Sequence, residues 1–286
     1  MNNFELTNAV EQFASMTCRI SDPLLERPWA WKSYDSEGVR FAFLRTYEEL
    51  RELAANLQRE RMLRATPPST AQLILAQYDA AYWDLQAALL GIEDGQAERA
   101  PAEGEWPVRR VLAHVIAGDL GFFVVVRNAL DRQRSGAGPA EVTQETWAAT
   151  SGMDEAAFES VMSQPVKGLR SYHAGLHMRI LKELADISDV ELEGASSYWE
   201  AEPMSIRFRL HRFDSHLRQH TVQIDKARQA LGQVPSEAQR LLRLIYAALA
   251  ETNGALIGAG ETGADSRLEL AKSLHARAGE LTAICA

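Results

Sequence analysis

Residues 107–131 read PVRRVLAHVIAGDLGFFVVVRNALD, and this stretch decides the class of fold. A proline at its start suits the first turn of a helix. The side chains that follow are apolar almost all round, as in a helix that is buried on every side. His114 and Asp119 interrupt the apolar run, so it is too short and too polar to span a bilayer comfortably. We therefore predict a buried core helix here.

Helical periodicity extends outward from this stretch in both directions, and we find no strand pattern and no repeat. Residues 1–37 are expected to be mostly irregular, because Pro23 and Pro28 interrupt them. We predict an all-α fold with a four-helix bundle at 68–232, an N-terminal extension at 1–67 with one helix packed on the core, and a C-terminal helical extension at 233–286. The predicted helices are 41–63, 68–90, 107–131, 154–187 with an interruption near Pro165, 205–231, 236–257 and 265–283.

The net charge and the cysteine content indicate which partners and which cellular compartment to expect. The net charge of −9 argues against a nucleic-acid partner, because phosphate backbones attract basic surfaces. The two cysteines, Cys18 and Cys285, form no CxxC motif, so no disulfide framework is expected and a reducing, cytoplasmic location fits. We expect neither a signal peptide nor a membrane partner.

Histidine spacing gives two candidate metal-binding pairs. Residues four apart share one face of a helix, so two such histidines can reach one ion. His216 and His220 have this spacing, and so do His173 and His177. Spacing alone leaves a second interpretation open for both pairs. The histidines can instead be core or surface residues whose ring nitrogens form hydrogen bonds and bind no metal. The 216–220 pair lacks the glutamate of an HExxH motif, so it carries no general base of the zincin type.

His114 lies inside the apolar helix, with Gly118 and Gly121 following on the same face. The two glycines either permit a close approach of another helix or leave a cavity beside His114. A catalytic metal with an open coordination position would need the cavity. The sequence leaves both interpretations open, together with that of a hydrogen-bonded core histidine.

Two segments resemble the DinB/YfiT-like family. The run Trp106-Pro-Val-Arg-Arg-Val-Leu-Ala-His114-Val-Ile is similar to that family's second helix, in which a tryptophan precedes one metal-binding histidine. The run from His211 to Ile224, which is followed by Leu231-Gly232, resembles its last core helix with an HxxxH pair. The resemblance covers about residues 68–232. It implies a four-helix bundle with a metal-binding triad of His114, His216 and His220 at one end, and it matches no ligand position to His173 or His177.

The resemblance also implies chemistry. Family members bind a divalent metal, often zinc or nickel, and commonly form homodimers. Some are metal-dependent transferases that use low-molecular-weight thiols such as mycothiol or bacillithiol, and a mycothiol-dependent maleylpyruvate isomerase belongs to the same superfamily. Others are described as metal-dependent hydrolases. We accordingly expect a small-molecule substrate here.

Arg209 and Arg212 are our candidates for substrate binding, because both lie near the His216–His220 flank of their helix. Either can bind a carboxylate on a substrate or thiol cofactor, and the alternative for each is a solvated or ion-paired arginine. We assign no catalytic residue. Five further residues lie in predicted loops, and they line the mouth of the site if those loops reach it. The alternative is that they anchor the loops by packing. They are Glu105, Trp106, Trp199, Glu200 and Glu202.

Two hypotheses of function follow. The first is a metal-dependent enzyme, a thiol transferase or a hydrolase. The second is a non-catalytic binding or assembly protein stabilised by the metal, with a filled core near Gly118 and Gly121. A third hypothesis, DNA binding, is disfavoured by the net charge of −9.

Overall fold

The computed structural model describes residues 3–285, and this part of the chain is all-α, as predicted. It contains twelve α-helices, one 3₁₀ helix at Asp22–Glu26, and one antiparallel hairpin of two short strands. The strands are β1 (Ala195–Ser196) and β2 (Met204–Ser205). The helices are α1 (Asn3–Thr17), α2 (Val39–Leu63), α3 (Thr70–Ala88), α4 (Asp94–Ala97), α5 (Val108–Arg134), α6 (Gln144–Ser151), α7 (Glu155–Met162), α8 (Val166–Leu184), α9 (Asp189–Leu192), α10 (Ile206–Ala230), α11 (Glu237–Leu256) and α12 (Ala264–Cys285).

Most of the long helices lie close to their predicted limits. The helix predicted at 205–231 is α10, and the one predicted at 236–257 is α11. The helix predicted at 154–187 is divided into α7 and α8. Pro165 is the N-cap residue of α8, because a proline has no backbone N–H and is tolerated only at the start of a helix. The short helices α4, α6 and α9 were not predicted, since four to eight residues are too few to show a periodic pattern.

The expectation that residues 1–37 are mostly irregular is wrong for residues 3–17, which form α1. The buried side chains of α1 recur at helical spacing, at Leu6, Val10 and Phe13, and all three are fully buried. The prolines that suggested an irregular segment come only after the end of this helix. Pro23 lies at the start of the 3₁₀ helix, which is a favourable place for its fixed φ.

The described chain divides into two compact units. The first contains the residues up to 67, residues 83–91 and the residues from 233 onward. The second contains residues 68–82 and 92–232. The N-terminal and C-terminal segments, which the sequence suggested as two separate extensions, therefore belong to one unit.

The first unit is built on α1, α2, α11 and α12. Helix α2 packs against α11, and α1 packs against α12. The buried side chain of Arg61 donates hydrogen bonds to the carbonyl oxygens of Ala255 (3.1 Å) and Ile257 (3.0 Å) at the end of α11. It satisfies carbonyls that have no partner within their helix and places a positive charge at the negative end of the helix dipole.

The second unit is a bundle of α5, α8, α10 and the first part of α3, held by a buried polar network. The Asp119 carboxylate on α5 accepts a hydrogen bond from the Tyr78 hydroxyl on α3 (2.9 Å), and its Oδ2 lies 2.9 Å from Nε2 of His173 on α8. His177 Nε2 lies 2.7 Å from Asp79 Oδ1. All five side chains are buried. Burial of a polar group is costly unless it is paired, so this network specifies which helices face one another.

Helix α5 is the one helix, within the range 3–285, that is long and apolar enough to cross a membrane. Of its most apolar window, 67% is buried inside the protein. That burial is typical of a core helix, which is what the sequence predicted for this stretch.

We expect Asp119→Ala to destabilise the protein strongly, because it leaves the Tyr78 hydroxyl and His173 buried without their shared acceptor. Breaking a buried pair of this kind costs about 3–5 kcal/mol. The measurement is the midpoint of urea denaturation. The matched control is Asp131→Ala on the same helix, whose exposed i,i+4 pair with Arg127 contributes only about 0.3–0.5 kcal/mol. Equal midpoints for the two variants would contradict the structural role of the network.

Candidate metal centre

Helices α5 and α10 bring three histidines together. His114 comes from α5, and His216 and His220 come from one face of α10. The Nε2 atoms of His114 and His216 are 3.3 Å apart, and the potential ligand atoms of the three side chains all lie within 4.8 Å of one another. These are the three residues that the sequence analysis assigned to metal binding. In the part of the chain that the structure describes, no other three or more His, Cys, Asp or Glu residues bring their potential ligand atoms this close together.

The donor set fits a divalent ion such as zinc or nickel. Two ligands of a tetrahedral ion with bonds of about 2.0–2.1 Å lie about 3.3–3.4 Å apart, which matches the separation of the two Nε2 atoms. Burial, followed by the charges of His220, His114 and Arg212, lowers the pKa of His216 to about 3. Burial and then His220 also lower the pKa of His114. Both imidazoles are therefore neutral at neutral pH, and the neutral form is the one that binds a metal.

Exposure differs among the three histidines. His216 and His220 are each 7% exposed, whereas the side chain of His114 is exposed to solvent. A centre of this kind has two ligands fixed in the interior and one at the solvent edge. An ion bound here would be reached by water or a small molecule from the His114 side, as a catalytic ion requires.

Gln223 orients His220. Its side-chain oxygen lies 2.8 Å from Nδ1 of His220, one helical turn away. An amide oxygen only accepts hydrogen bonds, so Nδ1 carries the proton and Nε2 keeps its lone pair for a metal. Gln223 was not predicted as a site residue, although its position three residues after the predicted ligand His220 places it on the same face of the helix.

The space beside Gly118 and Gly121 is filled by neighbouring side chains. A Cβ atom at Gly118 would collide with the imidazole of His216, and its distance to Nδ1 would be 2.9 Å. A Cβ atom at Gly121 would lie 2.8 Å from the hydroxyl oxygen of Tyr198. Of the two interpretations that the sequence left open for these glycines, the structure therefore supports close approach. The space at Gly118 is taken by a candidate ligand itself.

A cavity of about 340 Å³ is lined by residues that contact His114 and His220, although none of the three histidines lines it. The Trp106 ring packs edge-on against His114 with 5.2 Å between ring centroids, and Gln223, the partner of His220, also lines the cavity. Two of the loop residues suggested for the mouth of the site, Glu105 and Trp106, are thus at a cavity wall. The complete lining is Pro101, Ala102, Glu105, Trp106, Gln219, Val222, Gln223, Lys226, Ala227 and Ala230.

An aromatic surface lies on the His216 side of the triad. The Phe122 ring meets the His216 ring edge-on at 5.5 Å. Trp199 and Tyr198, from the loop between β1 and β2, lie 6.3 and 6.5 Å from the same Phe122 ring. The Arg212 guanidinium lies 5.9 Å from the centre of that ring. Phe122 is thus the common neighbour of a candidate ligand, two loop aromatics and one cation.

The two arginines predicted to bind substrate have different surroundings. Arg209 is fully buried and forms two hydrogen bonds with the Glu200 carboxylate, at 2.6 and 2.5 Å, and a third with the Ser196 hydroxyl. Arg212 is half-buried and donates a hydrogen bond to the Ser215 hydroxyl at 3.2 Å. Within residues 3–285, no carboxylate lies within 4.0 Å of the Arg212 guanidinium. Arg209 forms an ion pair with Glu200, whereas Arg212, among the described residues, interacts with the Glu200 carboxylate only at longer range.

His173 and His177, the second pair with metal-ligand spacing, lie in the buried network and bond to carboxylates instead of joining the triad. Burial is the main cause that lowers the pKa of His177. Asp119 is bonded within the same network and is not positioned to serve as a base at the triad. His211 is exposed on α10 and is not a member of the triad.

Comparison with known proteins gives one match. A family model described as the DinB superfamily matches residues 77–224, which is more than half of the chain and includes all three histidines of the triad. No curated protein and no solved structure matches the chain in the same comparisons.

We expect Gly118→Ala to reduce metal binding while the fold is retained. Alanine favours a helix, but its Cβ would displace the His216 ring from its place against α5. The measurement is the zinc or nickel content after loading and dialysis. The matched control is Gly175→Ala in α8, where an added Cβ meets nothing within 4 Å. Wild-type metal content in the Gly118 variant would show that the close approach is not required.

We expect Gln223→Ala to weaken metal binding about 10–100-fold, as loss of a hydrogen-bonding partner behind a metal-binding histidine typically does. The dissociation constant is measured by competition with a chromogenic chelator. Gln229→Ala, an exposed position on the same helix, serves as the control. An unchanged constant in the Gln223 variant would argue that His220 is oriented by packing alone.

Proposed function

The chain belongs to the DinB superfamily, and on that premise we propose that it is a metal-dependent enzyme, a thiol transferase or hydrolase, that acts on a small molecule at an ion held by His114, His216 and His220. The observation that carries the proposal is the convergence of three imidazoles, two buried and one at the solvent edge. A purely structural metal site would be expected to enclose the ion on all sides.

A divalent ion held by three neutral imidazoles supplies a Lewis acid that lowers the pKa of a bound water to about 7, or favours the thiolate of a bound thiol. The chain's own residues prepare this site. Gln223 fixes the tautomer of His220, and Gly118 leaves room for His216 beside α5. Trp106 and Phe122 pack edge-on against His114 and His216, respectively, and His114 remains exposed to solvent.

Two approaches to the triad favour transfer over hydrolysis. A hydrolase needs one organic substrate and water, whereas a thiol transferase must bring two organic molecules to one ion. The cavity beside Trp106 and the aromatic surface around Phe122 lie next to different histidines. We therefore place the thiol transferase ahead of the hydrolase, with a low-molecular-weight thiol as the second substrate.

The competing proposal is a non-catalytic protein in which the metal stabilises the bundle. It is supported by the occupied space at Gly118 and Gly121. Such a protein would bind the metal and gain thermal stability from it, yet catalyse neither transfer nor hydrolysis. We further propose a homodimer, on the basis of the family resemblance, which light scattering on the purified protein would test.

The roles of the two arginines differ in this proposal. Arg212 acts electrostatically on His216 and, among the described residues, forms no ion pair within 4.0 Å, so we retain it as the residue that binds the substrate. Arg209 is a positioning residue, because its bonds to Glu200 and Ser196 hold the loop that carries Tyr198 and Trp199.

The decisive measurement is the metal content of the purified protein, by elemental analysis, beside that of a His216→Ala/His220→Ala variant. We expect near-stoichiometric metal in the wild type and its loss in the variant. The control is His211→Ala, an exposed histidine on the same helix that should leave the metal content unchanged. Metal retained by the double variant, or no metal in the wild type after reloading with zinc or nickel, would refute the site. A screen for thiol transfer and hydrolysis then separates the enzyme from the metal-stabilised binding protein.

A further inference from the structure

The cavity of about 340 Å³ beside Trp106 has two walls of different origin. One wall is the loop before α5, and the other is a single face of the C-terminal half of α10. The residues of the helix wall are three or four positions apart, which places them on one side of the helix. They are Gln219, Val222, Gln223, Lys226, Ala227 and Ala230. His216 and His220 precede them at the same spacing, so the cavity lies further along the face of α10 that carries these two candidate ligands.

The two walls carry opposite charges. Glu105 belongs to the loop wall and Lys226 to the helix wall, and both side chains are exposed. Among the described residues, neither side chain forms an ion pair within 4.0 Å, either with the other or with a third group. Each is therefore available to bind a group of opposite charge on a ligand. The cavity is complementary to a molecule that has both an ammonium group and a carboxylate.

Neutral hydrogen-bonding groups line the same cavity. The indole N–H of Trp106 is a donor, and the side-chain amides of Gln219 and Gln223 have both donors and an acceptor. The Gln223 oxygen already faces Nδ1 of His220, which leaves the NH₂ group of this amide for a ligand. A peptide bond has one donor and one acceptor, so this set of groups matches it.

Apolar surface completes the lining. Val222 is 59% exposed, so the protein itself leaves this side chain uncovered. The Trp106 ring is held from outside the cavity wall by Arg110, whose guanidinium lies 4.5 Å from the ring centre. An aliphatic group of a ligand would be stabilised here by removal of apolar surface from water. The remaining lining residues are small or apolar, namely Pro101, Ala102, Ala227 and Ala230.

From these observations we propose that the cavity binds a small zwitterion of about dipeptide size, with a free amino group, a free carboxylate and an aliphatic side chain. Glu105 binds the ammonium group, and Lys226 binds the carboxylate. The amides of the helix wall and the Trp106 indole bond to the peptide group, and the aliphatic side chain covers Val222. A volume of about 340 Å³ is at the lower end of the range for small-molecule sites, which suits a ligand of this size.

The cavity is connected to the candidate metal centre by two of its lining residues. Trp106 contacts His114, and Gln223 contacts His220, although no histidine of the triad lines the cavity itself. The inference rests on the proposed function in one respect, namely that the bound zwitterion is one of the two organic molecules brought to the ion. Binding in the cavity requires no metal.

The test compares four forms of one dipeptide by calorimetry, on the metal-free protein and then on the zinc-loaded protein. The forms are L-alanyl-L-leucine, its N-acetyl derivative, its C-terminal amide, and the form that is blocked at both ends. We expect the free dipeptide to bind the metal-free protein most tightly. Each single block should weaken binding about three- to tenfold, because it removes one charged contact, and the double block should weaken it further.

Two variants assign the charged ends of the ligand to the two walls. Glu105→Gln should weaken binding of the free dipeptide about three- to tenfold but leave that of the N-acetyl form unchanged, because this form has no ammonium group. Lys226→Gln should weaken binding of the free dipeptide to a similar extent and leave that of the C-terminal amide unchanged. The matched controls are Glu103→Gln in the same loop and Lys182→Gln on α8, which are exposed, lie outside the cavity lining and should have no effect.

Several outcomes would overturn the inference. They are no saturable binding of the free dipeptide to the metal-free protein, equal affinity for all four forms, or wild-type affinity in both the Glu105→Gln and Lys226→Gln variants. Binding that appears only with zinc and is unaffected by either variant would place the dipeptide on the metal alone, which removes the cavity site and leaves the proposed function intact. Conversely, binding to the metal-free protein that depends on Glu105 and Lys226 supports the inference even if the metal measurement fails.

Discussion

The convergence of the three histidines depends on the close approach of α10 to α5 at Gly118. A side chain at this position would occupy the place of the His216 ring. Because Gly118 has none, the imidazole lies directly against the backbone of α5, and its Nε2 comes within 3.3 Å of the Nε2 of His114. All three histidines lie on two long, packed helices rather than on loops, so the packing of these helices fixes the relative positions of the imidazoles.

Two histidine pairs with the same spacing have different surroundings in this chain. The pair on α8 meets Asp79 from α3 and Asp119 from α5, and the resulting hydrogen bonds stabilise a buried network. The pair on α10 meets His114 instead, so that only imidazoles converge. Helical periodicity places two residues on one face but does not say which helix that face meets. The resemblance to a family supplied that information here, because its single histidine precedes the pair by about a hundred residues.

The sequence predicts the long helices well, because each buries a stripe of apolar residues with a period near 3.6. Helix α1 was not predicted, although Leu6, Val10 and Phe13 follow that period, because Pro23 and Pro28 indicate an irregular segment, which begins only after the end of this helix. The grouping of both chain ends into one unit could not be predicted, since it depends on contacts between residues that are more than 200 positions apart. A different reason applies to Arg209 and Arg212, whose surroundings the helical pattern alone does not distinguish. Both lie near one flank of α10, and only the path of the loop after β1 brings Glu200 to Arg209.

Helix α3 belongs to both units, since residues 70–82 fall in one and residues 83–88 in the other. The chain therefore passes from one unit to the other four times, and no cut at a single peptide bond releases either unit whole. A fragment limited to residues 77–224, the part that matches the family, would begin inside α3 and end inside α10. It would also separate Trp83 from Tyr246, whose rings stack at 5.3 Å, and Asp84 from its ion-pair partner Arg243. The chain thus interleaves the bundle that carries the triad with the unit formed by the chain ends. A gene truncation or recombination that removes one unit would therefore also interrupt the other.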